Sequence, residues 1–240
     1  MSKRLVVSGC SFTDYCWSTW ADYLSAEFDE FCNVGIAGGD NATIARAVVN
    51  EAKAGDTVVI MWSGFDRWSI YKDTLKISPS DKHDPHWYHL GSIRGDKTYL
   101  VKYYHCVERF QSTMDYIQLV NLHSQVHKYA VYHFSAFPFF MGETEKEVDP
   151  RILDIYKKYN IANNYVEEIS LLDYQQQNNQ YILSRHQYHP SGTDNHPTPL
   201  THWEYCSKII APKVGLTIST TLDEVMLEQN NLIINGIARK

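Results

Sequence analysis

The chain has 240 residues, of which 44% are hydrophobic and 21% are charged, values typical of a single folded globular domain. They exclude a disordered chain, and because no apolar run reaches about 18 residues, the sequence predicts no membrane-spanning helix. The 28 Asp and Glu residues outnumber the 22 Lys and Arg residues, giving a net charge of −6 without a basic cluster, so we expect no nucleic-acid partner.

Strands and helices are predicted to alternate in the first quarter of the chain. A β-branched apolar run at 4–8 predicts a buried strand, and apolar spacing over 18–28 predicts a helix after it. A short strand at 31–34 follows, then a helix that Asp40 and Asn41 can cap, and then a continuous apolar strand at 57–62. Such strands, separated by helices, are typical of a parallel sheet covered on both faces.

Two irregular insertions are predicted to interrupt this alternation, at about 69–104 and about 136–189. The first is rich in Tyr, Trp, His, Asp and Lys and shows no clean period. Between them, helical spacing returns at 106–126 and a fourth strand is predicted at 128–134. The second insertion contains one predicted helix at 150–159.

A closing helix is predicted over 198–211, where apolar residues recur at helical spacing. The remaining segment, about 215–240, is predicted to be an appendage, and its pattern leaves strand and helix open. We therefore expect residues 1–240 to form one α/β domain, a three-layer αβα sandwich around a parallel sheet, with both insertions on the functional edge of that sheet.

The cysteines and the N-terminal residues indicate the cellular compartment in which the protein is expected. The five cysteines are scattered without a Cys-x-x-Cys pair, which predicts reduced thiols. No apolar stretch near Met1 is long enough for a secretory signal, so we expect a cytoplasmic protein. Aromatic residues make up 13% of the chain, including 17 Tyr and 6 Trp. These side chains are equally consistent with an aromatic-lined binding groove and with a core filled by bulky residues.

Polar residues follow each predicted strand, at the edge where open parallel sheets bind ligands. Those that follow the first three strands are Ser11, Thr13, Asn33, Gly38, Asn41, Ser63, Asp66 and Arg67. Asp194 and His196 precede the closing helix. A hydroxyl, glycine N–H groups and an acid–histidine pair are the parts that acyl transfer through a serine nucleophile requires.

These motifs resemble those of the SGNH (GDSL-type) hydrolases. The Gly-x-Ser motif after the first strand is matched by Gly9 and Ser11, and the Asn-x-x-x-x-Gly pattern by Asn33 and Gly38. The final block places an Asp shortly before His-Pro, as Asp194 and His196-Pro197 do here. The resemblance covers about residues 4–68 and 190–211, and it implies a flavodoxin-like fold without a cofactor.

The resemblance implies a role for each matched residue. Ser11 would be the nucleophile, His196 the general base, and Asp194 the group that orients the imidazole. The N–H groups of Gly38 and Ser11 would hold the oxyanion. Many members have Asp-x-x-His in the last block, whereas this chain has Asp-x-His, a spacing also used by branches that act on polysaccharide acetyl groups.

One departure concerns the oxyanion hole. The family's third block is Gly-x-Asn-Asp, and its Asn donates to the oxyanion, but this chain has Phe65 at that position. Loss of one such donor costs about 10²–10³ in rate. Either Ser63, Asn41 or Arg67 replaces it, or the chain is a weak or inactive relative. Asp66 and Arg67 are interpreted either as a structural ion pair or as substrate-binding residues.

Structural interpretations stand beside the catalytic ones. Ser11 with Thr13 is also typical of a helix N-cap, Gly38 and Gly39 of a turn with positive φ, and Asp194 of an Asx turn. His202 is the alternative base, because it lies in the first turns of the closing helix and could reach the same crevice.

A second histidine cluster follows a His-x-x-His-x-x-His spacing at His83, His86 and His89. Pro85 argues against a helix there, and zinc sites usually draw carboxylate or cysteine ligands from a rigid frame. We therefore predict solvated or groove-lining histidines and no metal. His186 and His189 also lie near the proposed base in sequence.

The leading hypothesis is a cytoplasmic serine ester hydrolase, or an acyl transferase that uses the same acyl-enzyme, with a small-molecule or carbohydrate-like ester as substrate. The aromatic-rich insertions favour a carbohydrate-like substrate, since sugar faces stack on Tyr and Trp. The alternative is a non-catalytic binding protein on the same fold, motivated by Phe65. A nucleotide-binding domain fits less well, because residues 35–39 do not form Gly-x-Gly-x-x-Gly and follow the second strand.

Overall fold

The computed structural model describes residues 3–65, 67–71, 87–90, 105–138, 149–159, 169–178 and 196–235, and for 68–71, 87–90 and 234–235 it describes the backbone only. Within these ranges four parallel strands form one sheet. They are β1 (Arg4–Gly9), β2 (Glu30–Asn33), β3 (Thr57–Trp62) and β6 (Ala130–Ser135), in the order β2-β1-β3-β6.

The strand order creates a crevice at one edge of the sheet. The chain passes from β1 to β2 on one side and then returns to place β3 on the other side of β1. Loops that leave the carboxyl ends of β1 and β3 therefore diverge to opposite faces, which is where open α/β sheets bind ligands. Gly9 pairs with Met61 at this edge, so Ser11 and Ser63 each lie two residues beyond a paired position.

Helices cover both faces of the sheet. On one face lie α2 (Asn41–Glu51), α3 (Cys106–His127) and α4 (Pro150–Lys158). On the other face lie α1 (Trp20–Ser25), α5 (Leu171–Gln177), α6 (Pro199–Tyr205), a π-helical turn (Cys206–Ile210), α7 (Ala211–Val214) and α8 (Leu222–Asn235). None of the helices in the described ranges is both long and apolar enough to cross a membrane.

The alternation of side chains along β1 explains the two cores. Val6 belongs to the core on the α2 and α3 side, whereas Leu5 and Val7 belong to the opposite core, and all three are fully buried. Each buried side chain of this size contributes about 1.5–3 kcal/mol. The predicted three-layer α/β fold with a parallel sheet is thus confirmed.

The structure corrects two predictions and completes a third. The second insertion, predicted to contain one helix at 150–159, contains two, α4 and α5. The first insertion, predicted to be irregular, contains β4 (Trp68–Tyr71) and β5 (Trp87–Leu90), which pair antiparallel with each other and form a separate sheet. Four-residue strands are too short to show a clear period. The appendage, whose type the pattern left open, contains α8, which packs against α6.

His133 in β6 is fully buried in a polar network inside the core. The indole N–H of Trp62 donates to its Nδ1 at 3.1 Å, and Nε2 lies 2.8 Å from Asn121 Oδ1. Because an indole can only donate, Nδ1 must be the acceptor and Nε2 must carry the proton. Burial lowers the pKa of His133 to about 3, so the imidazole stays neutral in the folded chain.

This network predicts acid sensitivity of the fold. The pKa of His133 is about 3 folded and about 6.5 unfolded, so between these values the unfolded chain binds more protons. Stability from this group is therefore complete above about pH 6.5 and falls as pH decreases. We expect His133 to lower the free energy of unfolding by about 1 kcal/mol between pH 6 and pH 5, measured by urea titration. His133→Gln should remove this part of the pH dependence, and an unchanged slope would contradict the assignment.

Candidate active site

Ser11 lies in a tight loop directly after β1, with 7% of its surface exposed. The loop is closed by the Thr13 N–H donating to Cys10 O at 2.8 Å, and it is held to the β2 side by the Ile36 N–H donating to Gly9 O at 2.9 Å. A Cβ at Gly9 would lie 2.0 Å from Thr13 Oγ1 and 2.9 Å from Met61 O. Only glycine therefore fits two residues before Ser11.

Asn33, the first residue of the Asn-x-x-x-x-Gly pattern, stabilises the loop that holds Ser11. Its Nδ2 donates to Thr13 O at 3.1 Å, and its Oδ1 accepts from the Gly35 N–H at 2.8 Å. Thr19 Oγ1 donates to the same Thr13 carbonyl at 3.0 Å. Asn33 thus couples the loops after β1 and β2.

His196 faces Ser11 across the crevice. Its Nε2 lies 2.8 Å from Ser11 Oγ, although 185 positions separate the two residues in sequence. This is the contact a general base needs in order to take the hydroxyl proton. The motif resemblance implies that the same two residues are the nucleophile and the base.

Three aromatic residues that follow Ser11 hold the imidazole in place. Tyr15 stacks on the His196 ring with 3.9 Å between centroids and 19° between planes, and Phe12 meets it edge-on at 5.5 Å. The indole N–H of Trp17 donates to Pro197 O at 2.9 Å. Sequence reasoning missed these roles; the only signal was the aromatic spacing after the Gly-x-Ser motif.

The third member of the predicted triad, Asp194, lies outside the described residues, as do His186 and His189. The placement of Nε2 at Ser11 directs Nδ1 to the opposite side of the ring. A carboxylate that orients the imidazole would have to accept the Nδ1 proton there.

His202 in α6 is the alternative base, and it is 1% exposed. Its ring lies edge-on to Phe12 at 6.5 Å, and neither ring nitrogen has a hydrogen-bond partner among the described residues. Burial, with a smaller contribution from His196, lowers its pKa to about 3. Ser11 Oγ is therefore paired with His196 and not with His202.

The loop after β2 presents backbone N–H groups near the crevice. Gly38 has a φ of 78°, which favours glycine, so the predicted turn role holds there. The Gly39 N–H is occupied, because it donates to Ile36 O at 2.8 Å. Among the described residues no acceptor binds the Gly38 N–H.

Asn41 is fully engaged within the fold. Its Nδ2 donates to Ser63 O at 3.0 Å and to Thr113 Oγ1 at 3.1 Å, and its Oδ1 accepts from the Ser63 N–H at 2.8 Å. Both amide hydrogens are thus used, so Asn41 lacks the free donor that the oxyanion prediction requires. Ser63 differs, because its buried hydroxyl has no partner among the described residues.

Phe65 occupies the position where the resemblance expects an asparagine. Its ring packs edge-on against Phe110 of α3 at 5.6 Å and belongs to the core on that face. The residue therefore stabilises the packing between β3 and α3 and has no polar group to offer.

Of the two predicted substrate-binding residues, Asp66 lies outside the described residues, and Arg67 is half-buried. The Arg67 guanidinium lies over the ring of Phe137, with Cζ 5.0 Å from the centroid.

No group of three or more His, Cys, Asp or Glu side chains could hold a metal ion within the described ranges. His83, His86 and the side chain of His89 lie outside those ranges.

Comparisons with known proteins find similarity at the level of the fold. No protein-family model and no curated protein sequence matches the chain. Among solved structures it is similar to a GDSL-like lipase from Bacteroides thetaiotaomicron, with 16% identity, a TM-score of 0.46, and coverage of 89% of this chain and 88% of that chain. It is also similar to phospholipase A1 from Streptomyces albidoflavus, with 10% identity, a TM-score of 0.44, and coverage of 85% and 95%.

Proposed function

We propose that the chain is a serine ester hydrolase that works through an acyl-enzyme on Ser11. The observation that carries the proposal is the 2.8 Å contact between Ser11 Oγ and His196 Nε2 at the carboxyl edge of the sheet. A free serine hydroxyl is a weak nucleophile at neutral pH, and an adjacent imidazole is a common way to activate it.

The reaction would proceed in two balanced halves. Ser11 Oγ adds to the ester carbonyl carbon while His196 Nε2 takes the hydroxyl proton, and collapse breaks the ester C–O bond as that proton passes to the leaving alcohol. Water then adds to the acyl-serine and gives a proton to His196. The second collapse breaks the bond to Ser11 Oγ, returns the proton to it and releases the carboxylic acid.

Asp194 would accept the Nδ1 proton of His196 and so keep Nε2 free for Ser11. Negative charge that develops on the carbonyl oxygen would be held by the N–H groups of Gly38 and Ser11. The substrate is expected from the aromatic-rich sequence to be bulky or carbohydrate-like.

Hydrolysis of a short acyl ester tests the proposal. We expect the purified chain to hydrolyse 4-nitrophenyl acetate at a rate that EDTA leaves unchanged, because Ser11 and His196 form the nucleophile–base pair without a metal. Activity that disappears with the chelator and returns with zinc would contradict it. Absence of hydrolysis with several acyl esters would favour the alternative, a binding protein on this fold.

The free hydroxyl of Ser63 is proposed as the substitute for the asparagine that Phe65 replaces. Ser63→Ala is expected to lower kcat by at least about 10-fold with little change in KM, because the donor acts on charge that develops in the transition state. Steady-state kinetics with 4-nitrophenyl acetate measures this.

Asn41→Ala is the matched comparison, because it changes the neighbouring amide instead of the hydroxyl. It leaves the Ser63 N–H and C=O without partners, so we expect the free energy of unfolding to fall by about 1–3 kcal/mol. If Ser63→Ala leaves kcat unchanged, the donor assignment is wrong.

A further inference from the structure

Arg67 lies at the same sheet edge as Ser11, five residues beyond the last residue of β3. Its guanidinium covers the ring of Phe137, which itself lies two residues beyond β6. Because β1, β3 and β6 are neighbouring parallel strands, the loops that carry Ser11, Arg67 and Phe137 leave the sheet at one edge.

A continuous line of rings joins Arg67 to the Ser11–His196 pair. Phe137 contacts Phe12 with 4.9 Å between ring centroids, and Phe12 contacts the His196 ring at 5.5 Å. Two phenyl rings therefore separate the guanidinium from the imidazole. This spacing suits a substrate whose reacting carbonyl lies at Ser11 while another of its groups reaches Arg67.

One nitrogen of the guanidinium lacks the partner that a buried donor normally has. Arg67 Nη1 is buried and has no hydrogen-bond partner among the described residues, and no described carboxylate forms an ion pair with Arg67. In contrast, Arg4 pairs with Glu51 and Asp56, and Arg151 pairs with Asp149. Burying an N–H donor without an acceptor is unfavourable, so such a group is expected to have a function.

The contact with Phe137 restricts the guanidinium. Its Cζ lies over the ring, which is a favourable cation–π contact and limits the positions that the side chain can adopt. The N–H donors lie in the plane of the group and point along its edge. That edge matches the two oxygens of a carboxylate or phosphate, which arginine binds in a forked pair of hydrogen bonds.

We propose that Arg67 binds a carboxylate or phosphate group carried by the ester substrate and thereby selects anionic esters. This proposal rests on the proposed function, because it takes the substrate to be an ester that reacts at Ser11. Binding of the anionic group at Arg67, however, does not require hydrolysis of the ester. The alternative is that Asp66, which lies outside the described residues, neutralises Arg67 as a structural ion pair.

Two pairs of substrates test the proposal by changing charge with little change in shape. On the acyl side, 4-nitrophenyl hydrogen succinate is compared with its methyl ester. On the alcohol side, 4-acetoxybenzoate is compared with methyl 4-acetoxybenzoate. A third comparison, of 4-nitrophenyl 3-phosphonopropanoate with the succinate, distinguishes phosphate-like from carboxylate recognition.

We expect kcat/KM to favour the anionic member of at least one pair by about 10–100-fold, the range typical of a charge-assisted forked contact. Arg67→Gln should abolish that preference, because it removes the charge that would bind the anionic group of the substrate. Arg67→Lys should retain only part of it, because an ammonium keeps the charge without the fork.

Arg151→Gln is the matched control, since it removes the same charge from the N-terminal turn of α4 and should leave the preference unchanged. A preference that survives Arg67→Gln, or that is absent from both pairs, would overturn the proposal. Absence of the preference is the result expected from an Arg67–Asp66 ion pair, whereas a preference that survives Arg67→Gln would come from another group.

Binding to an inactive protein separates this proposal from the proposed function. In Ser11→Ala, calorimetry should show 4-acetoxybenzoate or hydrogen succinate ester bound about 10-fold or more tightly than its methyl ester, and the difference should vanish in Ser11→Ala/Arg67→Gln. If the wild-type chain hydrolyses no ester but this difference is present, the proposed function fails and the anion site stands. If hydrolysis depends on Ser11 but the difference is absent, the anion site fails alone.

Discussion

Ser11→Ala is expected to lower kcat for 4-nitrophenyl acetate by at least about 10³-fold, because the acyl-enzyme cannot form without the hydroxyl. The hydroxyl lies 2.8 Å from His196 Nε2, the group that would take its proton. The measurement is the steady-state rate at neutral pH, with circular dichroism to show that the variant is folded.

Ser8→Ala is the control for this variant. Ser8 lies three residues earlier in β1 and donates its hydroxyl to Ile44 O at 3.2 Å, away from His196. Its loss should affect stability slightly and leave kcat within about 3-fold. A Ser11→Ala protein that keeps near wild-type activity would mean that hydrolysis occurs elsewhere.

The second large effect is expected for His196→Ala, which should lower kcat/KM on the order of 10³-fold or more. The hydroxyl of Ser11 would keep its position in the loop but lose the group that takes its proton. The ring contacts of Tyr15 and Phe12 with His196 would be lost as well, so the rate is compared with the unfolding midpoint of the same variant.

His202→Leu is the companion measurement, because it tests the competing base. A leucine of similar volume replaces a fully buried ring that has no hydrogen-bond partner among the described residues, so the fold should tolerate it. We expect kcat/KM to fall by less than about 10-fold. The reverse ranking, with His202→Leu more harmful than His196→Ala, would assign the base to His202.

The central sheet could be predicted from the sequence because the apolar runs that favour a strand locally are the same residues that the folded sheet buries. Residues 57–62 form a continuous apolar run, and β3 spans these residues with neighbours on both sides. Asp40 and Asn41 are the predicted caps of the second helix, and it is the Asp40 side chain that accepts from the Thr43 N–H at 2.9 Å. Such signals lie within a few residues of one another, so no knowledge of distant contacts is needed.

Long-range contacts explain what the sequence could not predict. The role of Asn41 depends on Ser63, 22 positions away, and nothing near Asn41 in sequence shows that both amide hydrogens are used. Similarly, the bond from Trp17 to Pro197 spans 180 positions. The contact between Ser11 and His196 spans a similar distance, but the motif resemblance anticipated it.

Covalent labelling tests most directly whether Ser11 is a nucleophile that His196 activates. A fluorophosphonate transfers its phosphoryl group to an activated serine hydroxyl and releases fluoride, so the product is read by mass spectrometry of the peptide that contains Ser11. We expect one label on Ser11 in the wild-type chain, no label at this position in Ser11→Ala, and labelling at least about 100-fold slower in His196→Ala. A wild-type chain that remains unlabelled under conditions that modify a known serine hydrolase, or that is labelled at a different residue, would contradict it.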